Sequence, residues 1–157
     1  MDATPSRRGL RRHSDLEIPI AITAGEPAGI GPDLCLALAD QQIGDDIVVI
    51  ADPAVLRNRA ERLGIEFPDN LQIVPVAYPA PDVCGEPSLS NVPALLESLR
   101  IAVDGCLQGK FAAMVTAPLQ KSVISDAGTP FSGHTEFIAA ACDTETPVML
   151  LAADDMR

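Results

Sequence analysis

Apolar runs alternate with apolar stripes at helical spacing along this chain from residue 18 onward. Ile18–Thr23 is almost wholly apolar, the pattern of a strand covered on both faces, and Pro19 is tolerated at its start. A glycine-rich turn follows, then a helical pattern over Asp33–Asp40 that reaches Gln41. Asp46–Ala51 (DIVVIA) predicts a second strand. Asp52-Pro53 predicts the start of a helix, with Asp as N-cap and Pro in the first turn; it runs to Leu63, with Gly64 as its C-terminal cap. Leu71–Val76 predicts a third strand, and Pro75 within it points to a sheet edge. Pro79, Pro81 and Pro87 mark 77–87 as a loop. Ser88–Gly109 predicts a long helix with Leu95, Leu96, Leu99, Ala102, Val103 and Cys106 as its buried stripe, Pro93 in its first turn and Ser90 or Asn91 as its cap. Phe111–Thr116 predicts another buried strand, broken by Ala117-Pro118, and a short helix runs to about Ala127. Thr135–Cys142 is helical in pattern and Pro147–Ala152 (PVMLLA) predicts a last strand.

Strands alternating with helices imply an α/β fold of three layers, α/β/α, with a mainly parallel sheet and right-handed crossovers. A last buried parallel strand needs a covering helix, and only five residues follow Ala152. The expectation is a fold incomplete at its C-terminus, or one that a partner completes. Met1–Glu17 lacks apolar periodicity and reads as a disordered basic tail. Its Arg7, Arg8, Arg11 and Arg12 suit either a docking patch or a solvated extension, and His13 shares that reading.

Composition narrows the class. The 157 residues suffice for one domain burying roughly two-thirds of its unfolded surface. Aromatics are 3% with no Trp, so the core is aliphatic. Net charge is −11; the first 15 residues carry +2, which leaves −13 on the rest. So acidic a body argues against nucleic acid as a partner, since phosphate backbones need Lys and Arg, but leaves room for a small anion held by local donors. Cys35, Cys84, Cys106 and Cys142 form no CxxC pair and read as buried, reduced thiols of a cytoplasmic protein. No run reaches the roughly 20 apolar residues of a membrane span, and no apolar stretch behind the basic N-terminus makes a signal peptide.

Three places carry candidate chemistry. The first is Thr23–Asp33, TAGEPAGIGPD, where Gly25, Gly29 and Gly31 permit close approach of a ligand and Pro32 suits a first helical turn. Its spacing is neither G-x-G-x-x-G nor a Walker A loop. A helix start after such a turn suits an anion or hydroxyl-bearing ligand, with Glu26 better placed for a hydroxyl, an amide or a backbone group; a purely structural turn is the alternative. The second is His134-Thr135 after Gly133, where imidazole and hydroxyl beside helix N–H groups suit a phosphate or carboxylate; a cap or surface residue is the alternative. Glu136 beside them is most simply a first-turn residue favoured by the helix dipole. The third is Lys121, just past a strand end, where ligands gather in parallel sheets; a solvated helix lysine is the alternative. The turn and the FSGHTEF stretch are expected to line one cleft. No His/Cys/Asp/Glu cluster has metal-ligand spacing, and no nucleophile–base pair is visible.

Three runs, ITAGEPAGIGPDL, DGCLQGKFAAMVTAPLQKSVISDAG and PFSGHTEF, closely resemble the 4-hydroxythreonine-4-phosphate dehydrogenase (PdxA) family, in the same order and over about residues 18–157. The resemblance implies the fold of isocitrate and isopropylmalate dehydrogenases and a homodimer. It implies oxidation of 4-phosphooxy-L-threonine by NAD or NADP with loss of CO2, in pyridoxine and pyridoxal phosphate biosynthesis. It also implies a divalent metal (Zn, Mg or Co) held by three histidines and acting as Lewis acid. Matched residue by residue, it makes His134 and Thr135 substrate-binding, adds Lys121, and sets Gly25–Pro32 beside the cleft. The family's metal histidines and later substrate contacts have no counterpart here, so the catalytic residues stay unassigned, no metal ligand is expected in this chain, and the chain looks like an amino-terminal half whose second lobe begins near 117. Gln120 departs from the His or Asn common before the lysine and bears on substrate choice. Two further readings stay open: a non-catalytic truncated remnant, and a relative acting on another phosphorylated hydroxy acid or a cyclic diol.

Overall fold

The structure, a computed structural model, describes residues 18–39 and 46–152. The expected tail, with its arginines and His13, and the helix end at Asp40 and Gln41 lie outside the described residues. Four strands form one parallel sheet: β1 (Ile20–Thr23), β2 (Ile47–Ala51), β3 (Ile73–Pro75) and β4 (Ala113–Thr116), in the order β3-β2-β1-β4. Ile22 stands opposite Val49 on one side and Val115 on the other. Among the described residues, five α-helices accompany them: α1 (Gly31–Leu38), α2 (Pro53–Leu63), α3 (Val92–Leu107), α4 (Lys121–Asp126) and α5 (His134–Ala141).

The period-two alternation of the strands assigns the layers. Ile22 and Val49 point into a core with Cys35 and Leu36 of α1 and Leu56 and Ala60 of α2. Ala21 and Ile50, one residue along, point the other way, into a cluster with Val76 and Ala102 of α3. Both sheet faces are covered, as the near-continuous apolar runs require. A third cluster, Val92, Leu96, Leu99, Val123, Ile124 and Phe131, holds α4 and the approach to α5 against α3. Each large side chain sealed in these clusters contributes roughly 1.5–3 kcal/mol.

Local signals explain most boundaries. Asp52 caps α2 by accepting the Ala54 N–H at 2.8 Å, while its other carboxylate oxygen accepts the Tyr78 N–H at 2.8 Å. Gly64 ends α2 at φ 67°, the left-handed conformation that glycine adopts without strain. Pro75 lies in β3, at a sheet edge.

Several expectations need correction. Helix α1 starts at Gly31, two residues before the expected Asp33. Helix α3 is preceded by a 3-10 turn, Leu89–Asn91, and its N-cap residue Asn91 makes no side-chain cap. The Asn91 amide instead accepts the Ala80 N–H (2.9 Å) and donates to the Ala80 carbonyl (3.3 Å), which pins the proline loop. Strand β4 is not buried on both faces: it is the outermost strand on its side, and Val115 is 52% exposed. Pro147–Ala152 is no strand. Val148, Met149, Leu150 and Leu151 are 70–90% exposed, and no described strand lies alongside to supply the ladder that strand propensity needs. Of the four thiols only Cys35 is buried; Cys84 sits exposed in the proline loop, and Cys106 and Cys142 are half-buried near helix ends. Among the described residues no helix is long and apolar enough to cross a membrane.

Candidate functional site

The sheet order places the site. From β1 the chain winds outward through β2 to β3, then returns to put β4 on the other flank of β1. Where the winding direction reverses, the loops leaving the carboxyl ends of neighbouring strands diverge and open a crevice. Here those loops are the glycine turn after β1 and residues 117–120 after β4.

The two loops are stitched together. The Ala117 N–H donates to the Thr23 carbonyl (3.0 Å) and the Glu26 N–H to the Pro118 carbonyl (3.1 Å). Such proximity requires glycine. A Cβ on Gly25, which holds φ 69°, would stand 2.5 Å from the Pro118 oxygen, and one on Gly31 would overlap the Ala24 carbonyl oxygen.

Beneath the turn lies a polar frame that the sequence reading missed. Arg59 of α2, only 5% exposed, donates to the carbonyls of Pro27 (2.8 Å) and Gly29 (3.1 Å) and pairs with Asp33 at 2.9 Å. The Tyr78 O–H donates to the Gly25 carbonyl at 3.2 Å. A signal for Arg59 was present: it stands on the stripe Val55, Leu56, Arg59, Ala60, a charge at a core position of an amphipathic helix. Nothing local in the sequence marks Tyr78. Glu26 is 5% exposed; its Oε1 accepts the Ala28 N–H at 3.3 Å, and its Oε2 has no partner among the described residues. Burial pushes its carboxyl above the usual range, with the Ala28 N–H opposing. With the N–H groups of Glu26, Ala28 and Gly29 and the carbonyls of Gly25, Pro27 and Gly29 all bonded within the protein, the turn acts chiefly as a rigid wall.

The other wall carries the donors. Lys121 opens α4 and is exposed, three residues past Pro118. Its Nζ lies 3.2 Å from where a Cβ on Gly133 would stand, and Glu136 Oε2 lies 3.0 Å from the same point. A side chain at 133 would crowd the ammonium and the carboxylate, whose flexible ends would have to give by a few tenths of an ångström. His134 opens α5, its ring edge-on to Phe131 with centroids 6.1 Å apart, and its Nε2 is buried without a partner among the described residues. Burial first, and the Lys121 charge second, hold the imidazole below its usual pKa. Thr135 follows, half-buried. Thus Lys121 and the Gly133–His134–Thr135 corner converge, and residues 117–121 link that corner to the glycine turn. A neutral imidazole beside an ammonium at a helix start can hold an anion through hydrogen bonds and charge together. Two cavities, of about 720 Å³ beside α1 and about 600 Å³ beside the first turns of α3, are lined by other residues.

The implied metal finds no donor set here: among the described residues no three His, Cys, Asp or Glu side chains converge. The glycine turn is also a poor match for a dinucleotide's pyrophosphate, because a carboxylate occupies it and the N–H groups of Glu26, Ala28 and Gly29 are engaged.

The chain has relatives of known sequence and of known fold. A protein named 4-hydroxythreonine-4-phosphate dehydrogenase from Serratia proteamaculans (strain 568) is 44% identical over 153 aligned residues, covering 88% of this chain and 46% of the relative. The solved 4-hydroxythreonine-4-phosphate dehydrogenase of Klebsiella pneumoniae superposes with a TM-score of 0.69 at 28% identity, over 81% of this chain and 45% of that one. A terephthalate 1,2-cis-dihydrodiol dehydrogenase from Burkholderia xenovorans LB400 superposes with a TM-score of 0.66 at 25% identity, over 81% and 41%. The chain spans about half the length of the curated relatives it matches. The family model described as "Pyridoxal phosphate biosynthetic protein PdxA" matches residues 42–157; the chain therefore belongs to the PdxA family.

Proposed function

We propose that this chain is the amino-terminal, anion-gripping part of a dehydrogenase that oxidises 4-phosphooxy-L-threonine with NAD or NADP and releases CO2, serving pyridoxal phosphate biosynthesis. The observation that supports this most directly is the convergence of Lys121 with the Gly133–His134 corner, in a chain 44% identical to a relative of that name. In this reading Lys121 supplies charge to a phosphate or carboxylate, His134 and Thr135 hydrogen-bond it, and the turn around Gly25, Glu26, Gly29 and Gly31 walls the crevice. The metal would supply Lewis-acid chemistry from ligands outside the described residues, and no step here runs through it. Lobes meeting near residue 117, a homodimer and a cytoplasmic location belong to the same proposal.

The test is NAD(P) reduction by the polypeptide extended to the length of its relatives, with 4-phosphooxy-L-threonine and a divalent metal. Turnover is expected, with His134→Ala raising KM because an anion contact is lost. No turnover on this substrate refutes the substrate assignment, and an unchanged KM removes His134 from the site. The dihydrodiol dehydrogenase among the structural neighbours, with Gln120 before Lys121, favours one other reading, oxidation of a cyclic diol. Turnover of a cis-dihydrodiol in place of the phosphorylated substrate would establish it.

A further inference from the structure

Glu136 stands at the anion corner, and the function proposed above gives it no task. The helix dipole accounts for a carboxylate in the first turn of α5. It does not account for where that carboxylate points. In a capping box, the third residue of a helix turns its side chain back to accept the N–H of the cap residue, here Gly133. Glu136 does turn back: its Oε2 lies 3.0 Å from where a Cβ on Gly133 would stand. Yet among the described residues it accepts no hydrogen bond. Lys121 Nζ lies 3.2 Å from the same point and donates to none of the described residues. The two opposite charges are therefore separated by at most about 6 Å, two hydrogen-bond lengths, and no ion pair closes between them. The buried Nε2 of His134, on the residue after Gly133, is a third group without a partner among the described residues.

Charge limits what fits between an ammonium and a carboxylate. A bare dianionic phosphate placed there is drawn to Lys121 and pushed from Glu136 over similar distances, so the two effects largely cancel. An ionised carboxylate only accepts hydrogen bonds, so a ligand that satisfies Glu136 must bring a donor. An ammonium in that role would stand beside Lys121, like charge near like charge. A hydroxyl brings the donor without the charge, and it is common to the phosphorylated substrate and the diol weighed above. We infer that Glu136 is a specificity-determining residue: it accepts a hydrogen bond from a hydroxyl carried beside the oxyanion that Lys121 holds, and it disfavours oxyanions that lack one. The inference rests on the anion grip of the proposed function and narrows its ligands to hydroxylated phosphate esters and hydroxy acids. Repulsion of the bare oxyanion contributes to the selection as well as attraction for the hydroxyl.

The experiment is titration of the 157-residue chain and of its Glu136→Gln variant with two ligands, 3-phosphoglycerate and 3-phosphooxypropanoate, which lacks the hydroxyl. Both proteins carry His13→Ala, so that His134 gives the only imidazole signals in proton NMR, and binding is read from their shift. The titrations are run at about pH 7.5, where the phosphate is mostly dianionic. The parent should prefer 3-phosphoglycerate by about tenfold. Glu136→Gln should reduce that preference to about threefold or less, mainly by binding 3-phosphooxypropanoate more tightly. Glu136 is exposed, so the variant should keep the fold. Equal preference in the two proteins, or none in the parent, overturns the role of Glu136 and leaves the anion grip standing. A His134 signal that neither ligand moves overturns the grip itself, and this inference with it. O-phospho-L-serine, with an ammonium in place of the hydroxyl, is the last probe; if the parent alone favours it over 3-phosphoglycerate, Glu136 reads an amine and the ligand class named here is overturned.

Discussion

Replacing Arg59 with Met should show that the glycine turn is held from beneath. Met keeps most of the aliphatic stem that packs in α2 and removes the guanidinium alone. Three bonds go with it: to the carbonyls of Pro27 and Gly29 and to the Asp33 carboxylate. Each buried acceptor left without a donor costs roughly 1–3 kcal/mol. Breaking a fully buried ion pair costs about 3–5 kcal/mol. Asp33 is 28% exposed, so water recovers part of that loss and the lower end applies. The terms overlap because one group makes all three bonds, which leaves about 3–5 kcal/mol in total. Against a typical stability of about 5–15 kcal/mol this is a large share. At about 2–4 °C per kcal/mol for a chain of this size, Tm should fall by about 6–20 °C.

The assay is urea unfolding, with unchanged m-values confirming that only the midpoint moved. Arg59→Lys should recover little, because one ammonium cannot reach two carbonyls and a carboxylate in different directions. A cycle with Asp33→Asn should give a coupling of about 1–2 kcal/mol. A loss below about 1 kcal/mol in Arg59→Met, or a Lys variant as stable as the parent, would refute the frame and leave the turn held by its own backbone.

Three further outcomes follow from the same geometry. The His134 imidazole should titrate below the ordinary midpoint of about 6.5 in proton NMR, and Lys121→Met should move it upward without restoring it fully, since burial is the larger cause; a midpoint indifferent to Lys121 would separate the two groups. Because this folded-state pKa is depressed, the stability His134 contributes is present above about pH 6.5 and lost as pH falls through the lowered value. Glu26 has the opposite sign: its raised pKa favours the fold below the unfolded carboxyl value and withdraws that support as pH rises through the raised one, so Glu26→Gln should flatten the urea midpoint across that window, and a parallel pH profile would sink the idea. Gly31→Ala should cost about 2–3 kcal/mol or prevent folding, by Tm, because the added methyl meets the Ala24 carbonyl; a neutral Ala variant would mean that the turn is not closed on itself at this point.

The layers were legible in the sequence because their causes are local. Asp52-Pro53 and Gly64 bound α2 by cap chemistry within a few residues, and the runs IAIT and IVVIA mark strands sealed on both faces. What stayed hidden depends on neighbours distant in sequence. Whether FAAMVT is buried depends on what lies beside it, and among the described residues nothing covers Val115. PVMLLA has the composition of a strand, and no strand among the described residues pairs with it. Asn91 looked like a cap because caps are local; its partner, Ala80, lies across a loop. The glycines read as ligand-facing, yet Gly25 is set by contact with Pro118 of the neighbouring loop and Gly31 by contact with Ala24 within the turn itself.

The same distinction separates what this chain holds from what it lacks. The proposed anion grip needs few groups: Lys121 and His134 lie thirteen residues apart in sequence, and the hydrophobic cluster around Ile124 and Phe131 holds their helices together. A metal centre needs at least three donors converging from separate elements, and the described residues provide none. The buried Nε2 of His134 has no partner among the described residues, and a buried polar atom left so is costly unless something fills the place. In the function proposed above, an incoming oxyanion supplies that partner, and the Lys121 charge, already felt at the imidazole, helps to hold it.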